Sequence, residues 1–182
     1  MRLRATKKYL FAYLITTALL LVVTFSFNVI IDPFGVYRLV DIEGVNSVKT
    51  GQAHRVRLAK AGAVRAFRPS AVVLGNSRAE YGINPDHPGW TTKPVYNLGI
   101  SGANIYEILR YFQHANSIQP LSEVLFMLDL NQFDAYWENS IDFTEKRLAV
   151  TVEGTPNELY YAFDFVPTTL SLNALAQSIS TI

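Results

Sequence analysis

Apolar and polar residues alternate with three different rhythms along the chain. From Tyr9 to Ile31, "YLFAYLITTALLLVVTFSFNVII", no charge interrupts an apolar run. At 1.5 Å per residue it makes about 34 Å of helix, enough to cross a hydrocarbon layer of about 30 Å. "DPFGVY" follows, where Pro33 and Gly35 end that helix. In "HRVRLAKAGAVRAF", 54–67, Val56, Leu58, Ala63, Val64 and Phe67 form an apolar stripe at helical spacing. Arg55, Arg57, Lys60 and Arg65 decorate the other sides, as a solvated face or one that settles on anionic lipid.

Beyond residue 69 the rhythm changes again. "SAVVLG" (70–75), "KPVYNLG" (93–99) and "SEVLFMLDL" (122–130) are short apolar runs that predict strands buried on both faces. Between them, "ANIYEILRYFQHA" (103–115) places Ile105, Ile108, Leu109 and Phe112 at i, i+3, i+4 and i+7. Asn104 and Glu107 form an Asn variant of the capping box, and His114 is expected on the solvent side. After Asp134 come aromatic-rich connections, then "TTLSLNALAQSIS" as a last helix started by Thr168 or Thr169. Alternating strands and helices predict an α/β fold with a parallel sheet between helical layers. Ligands bind such sheets beyond the carboxyl ends of the strands. The ends here are "GNSR", "NLGISG" and "DLNQFD", gathered on one edge.

Charge adds a topology. Arg2, Arg4, Lys7 and Lys8 precede the apolar run and keep residues 1–8 cytoplasmic, with 9–31 an uncleaved signal anchor and the rest outside. A cleaved secretory signal would have a shorter apolar core and a small-x-small site; a buried core helix is the other alternative. Residues 32–69 read as a juxtamembrane linker and helix, and 70–182 as the α/β domain. The chain has 182 residues, 49% of them hydrophobic, which suits one domain with a real core. Net charge is +1, from 16 basic and 15 acidic residues, which gives no reason to propose nucleic acid as a partner. With no cysteine there is no disulfide, thiolate metal site or Cys nucleophile. No His and acidic spacing suggests a metal, and no cofactor is expected.

The candidate chemistry centres on Ser77 in "VVLGNSRAEYG". A turn leaving a buried strand exposes the hydroxyl and turns free N–H groups toward it, a setting for acyl transfer. Serine also favours turns for ordinary reasons, and "GIS" at 99–101 is a second Gly-x-Ser. "VVLGNSR", "YNLGISGANIYE" and "VLFMLDLNQFD" together resemble the first three blocks of the SGNH (GDSL-like) hydrolases and acyltransferases, especially membrane-anchored bacterial envelope branches. The resemblance spans roughly residues 70–134. It implies a flavodoxin-like three-layer fold, Ser77 as nucleophile, and Gly99 (with Gly102 as fallback) and Asn131 in the oxyanion hole. It also implies an envelope polysaccharide or lipid and an acyl donor as partners, beside the membrane bilayer.

Departures from the family pattern are plain. Asn76 stands where the family commonly has Asp, and no Gly stands two residues before Asn131, which leaves Asp129 as the alternative polar group at that strand end. None of His54, His87 and His114 sits in the family's late Asp-x-x-His, although His87 beside Asp86 follows Ser77 by ten residues. Serine needs a base to become a nucleophile. The chain therefore reads as the front of a longer protein, inactive as it stands, with one sheet edge unpaired. Two alternatives carry no catalysis: an anchored binding module, and a scaffold with a coincidental turn.

Overall fold

The structure, a computed structural model, describes residues 2–157 and 159–182, without the side chains of residues 2–5 and 160–163. Helix α1 (Arg2–Ile31) contains a stretch, Thr6–Ile31, that is long and apolar enough to cross a membrane and is almost entirely bare. Past it the chain turns sharply. Asp32 takes the left-handed region (φ 50), and its buried carboxylate accepts from Val36 N, Tyr37 N and Arg38 N at 2.7 to 3.0 Å. That knot sends Phe34 and Val36 back into the core. From residues 32–69, Phe34, Val36, Leu58, Ala61 and Val64 thus enter the same core as the α/β unit, while Leu39, Val40, Ile42 and Val48 stay exposed.

Three parallel strands form a small sheet: β1 (Ala71–Gly75), β2 (Val95–Asn97) and β3 (Glu123–Met127), in the order β2-β1-β3. Val72 and Leu74 point to one face, where α2 (Val56–Phe67) and α4 (Ile105–Ile118) supply Leu58, Ala61, Val64, Ile108, Tyr111 and Ala115. The short α3 (Ser77–Gly82) packs on β1 from the other face. The molecule is a mixed α/β protein with a small parallel sheet and one long N-terminal apolar helix. Burial of β3 on both faces is not what occurs: Leu125 and Phe126 are 38% and 45% exposed. No described strand pairs with the outer edge of β3, and α3 is too short to cover it.

From β3 the chain turns back across α4. Asn104, the α4 N-cap, holds Trp137 O at 2.8 Å. Buried Arg110 binds Glu145 Oε2 and Val150 O, and Arg147 binds Asp164 Oδ2. The return ends beside α1 in α5 (Tyr160–Thr169) and α6 (Leu172–Thr181). The last helix, expected to start at Thr168 or Thr169, starts at Leu172, and α5 occupies the aromatic-rich stretch before it, where short helices were expected. Both threonines close α5, and the Ser171 hydroxyl, accepting from Ala174 N, caps α6.

The solvated basic face expected on α2 holds for Arg55 and Arg65 but fails for two residues. Arg57 and Lys60 are buried. Arg57 Nε donates to Glu107 Oε2 at 2.7 Å, while its Nη2 lies equally close but off-line for a hydrogen bond. Glu107 is fully buried and accepts from Ser140 N as well, so it ties α2, α4 and the returning chain together. Removing one member of a dry ion pair strands the other charge, at about 3–5 kcal/mol. Glu107→Ala is therefore expected to lower the unfolding free energy by about that amount, followed by tryptophan fluorescence in denaturant, whereas a cost under about 1 kcal/mol would mean that the pair is hydrated.

Candidate functional site

The three polar strand ends do meet. Asn76 caps α3, its Oδ1 accepting from Arg78 N at 2.9 Å, and this puts partly exposed Ser77 at the first helical position. Among the described residues the Ser77 hydroxyl has no hydrogen-bond partner. Asp129, just past β3, grips both neighbours of Ser77: it accepts from Asn76 Nδ2 at 2.5 Å and from Arg78 Nη1 at 2.7 Å. From the β2 side, Ile100 N donates to Gly75 O at 2.9 Å, which places the glycine loop against the turn.

That glycine loop is fastened by groups the sequence did not single out. Asn97 Nδ2 reaches the carbonyls of Ala79, Glu80 and Ile83, and its Oδ1 accepts from Gly99 N at 2.9 Å. Glu80 Oε2 accepts from Ser101 N and Oγ at 2.9 and 2.7 Å. Lys60 Nζ donates to Asn97 O at 2.7 Å and lies 3.8 Å from Glu80. Burial pushes the Lys60 pKa below the usual lysine value, and Glu80 opposes the shift. A signal for Glu80 existed in "SRAE", whose Ser-x-x-Glu spacing resembles a capping box. Nothing local marked Lys60 or Asn97.

The oxyanion candidates fare differently. The Gly99 N–H is spent on Asn97, and a Cβ there would lie 2.5 Å from Glu80 N, so this glycine lets α3 sit close. Gly102 takes the left-handed backbone (φ +70), has nothing crowding it, and its N–H has no backbone acceptor among the described residues. Asn131 is exposed in a 3₁₀ turn (Leu130–Phe133) directly after Asp129.

None of the histidines reaches Ser77. His54 is exposed in a 3₁₀ turn ahead of α2. His87 accepts from Gly89 N and lines a groove of about 570 Å³ with Ile83, Trp90, Glu123 and Leu125. Glu123 begins β3, and at about 3.3 Å per residue it lies about 13 Å from the end where Ser77 sits. His114, expected on the solvent side, is fully buried: its Nδ1 accepts from Ala149 N at 2.9 Å, so Nε2 carries the proton toward Ala61 O at 3.1 Å. The return of the chain over α4 covers that face. No cluster of acidic and histidine side chains suited to a metal occurs among the described residues.

No family model, curated protein or solved structure matches the chain. The reading of the rim rests on its own geometry.

Burial pushes the His114 pKa down to about 4. The unfolded chain binds this proton below about pH 6.5 and the folded chain does not, so stability falls as pH drops from about 6.5 toward 4, by about 3 kcal/mol in all. His114→Gln is expected to flatten that part of the stability profile relative to the parent chain; parallel profiles would place the ring in water.

Proposed function

We propose that the chain is a membrane-anchored, extracytoplasmic SGNH-type esterase or O-acyltransferase domain, built on a flavodoxin-like plan and acting on a bacterial envelope glycan or lipid. What supports the reading best is the partly exposed Ser77 hydroxyl at the rim where three strand ends meet, flanked by Asn76 and Arg78 in the grip of Asp129. In this reading Ser77 Oγ attacks an ester carbonyl, the acyl group passes to the serine, and the leaving alcohol takes up a proton. The Gly102 N–H, with the Asn131 side chain, stabilises the oxyanion; Gly99 keeps α3 in place. Four cations in the first turns of α1, ahead of its apolar run, hold the N-terminus in the cytoplasm and the rim outside.

Among the described residues no histidine hydrogen-bonds Ser77: His87 accepts from Gly89 N and His114 lies between Ala61 O and Ala149 N. That placement favours a second reading, an anchored module that binds a glycan or partner protein without turnover. A fluorophosphonate probe separates the two. In native membranes the probe is expected to label the protein, and Ser77→Ala is expected to abolish labelling, since loss of the nucleophile costs about 10⁶ in turnover. Equal labelling of both forms, or none of either, leaves the binding module.

A further inference from the structure

We propose that α6 is a second membrane-seeking element, lying in the interface of the outer leaflet beside the exit of α1, with lipid against its Leu172–Ile179–Ile182 face. The proposal rests on α1 spanning the membrane and is independent of any chemistry at Ser77.

Depth is the first argument. About 20 residues cross 30 Å of hydrocarbon, and counted from Tyr9 they end at Asn28. Asn28 is buried by the C-terminal hairpin: its Nδ2 donates to Thr169 O and its Oδ1 accepts from Ser178 Oγ, both at 2.8 Å. In the last turn of α6, Thr181 Oγ1 lies 2.6 Å from Thr50 Oγ1, in the segment just after α1. These bonds fix α6 at the height where α1 leaves the hydrocarbon.

Its surface chemistry is the second. Residues 165–182 carry no charged side chain. At 100° per residue, Leu172, Leu175, Ala176, Ile179 and Ile182 fall on one arc of α6, and Asn173, Gln177, Ser180 and Thr181 on another. Ala174 and Ser178, the buried pair, form the seam against α1. The apolar arc is left bare: Leu172 is 85% exposed, Ile179 63% and Ile182 64%. An uncharged amphipathic helix fixed at interfacial depth, with large aliphatic groups bare, matches a helix lying in the plane of a bilayer.

The absence of cysteine makes the test direct. Single substitutions Leu20→Cys, Ile141→Cys, Ile179→Cys and Ser180→Cys are made in the full chain, labelled with a small fluorophore and reconstituted in phosphatidylcholine vesicles. Nitroxide-bearing lipid and aqueous iodide serve as opposing quenchers. Labels at Leu20 and Ile179 are expected to lose most of their emission to the lipid nitroxide and almost none to iodide, with the reverse at Ile141 and a weaker lipid response at Ser180. A label at Ile179 quenched by iodide as fully as at Ile141 overturns the proposal. One shielded from both quenchers overturns it too, in favour of a contact with a second copy. Iodide quenching at Leu20 defeats the span itself, and α6 with it.

Discussion

One dry carboxylate organises the molecule. Glu107, in the first turn of α4, accepts from Arg57 on α2 and from Ser140 on the chain returning from β3. Burying a charge costs several kcal/mol, and only a close partner with further hydrogen bonds offsets it. The arrangement is therefore all or nothing: α2, α4 and the return path are held together or each is left with an unpaired polar group. The return path matters most, because it carries the chain over α4 and back to the foot of α1. Among the described residues no strand pairs with the outer edge of β3, and α5 and α6 gather against α1.

The rim depends on that framework at one remove. Lys60, on the same helix as Arg57, reaches Asn97 O and the neighbourhood of Glu80, while Asn97 binds three carbonyls at the end of α3. Ser77 is thus positioned from behind by α2 through Lys60 and Asn97, and from the side by Asp129. At the rim Asn76, Arg78 and Asp129 do the positioning, and Lys60 supports it from beneath.

Much of this was legible along the chain. Each strand announced itself as an apolar run ending in polar turn residues, and the Asn104 cap followed from helical spacing, because both are local signals. Long-range facts were not local. His114 looked solvated because its own helix left it on the less apolar side, but α2, through Ala61 O, and the returning segment, through Ala149 N, bury it between them. Arg57 and Lys60 looked like surface charges for the same reason: their partners lie 50 and 37 positions away. The start of α6 was placed two or three residues early because Thr168 and Thr169 are also capping residues, although the stronger cap, Ser171, is the one that is used.

The two glycines of "GISG" show how packing assigns roles that a motif leaves open. Both occur where an oxyanion donor was sought, and the family resemblance favoured Gly99, with Gly102 as the fallback. Its amide, however, answers Asn97, and its missing side chain makes room for the backbone of Glu80, so any larger residue there would push α3 off the β2 loop. Gly102 is constrained instead by its own backbone, which sits in the left-handed region with open space around it. One glycine exists for a neighbour and the other for a conformation. Only the second leaves an amide with neither a backbone nor a side-chain acceptor among the described residues, and that distinguishes a scaffold glycine from one able to meet a ligand.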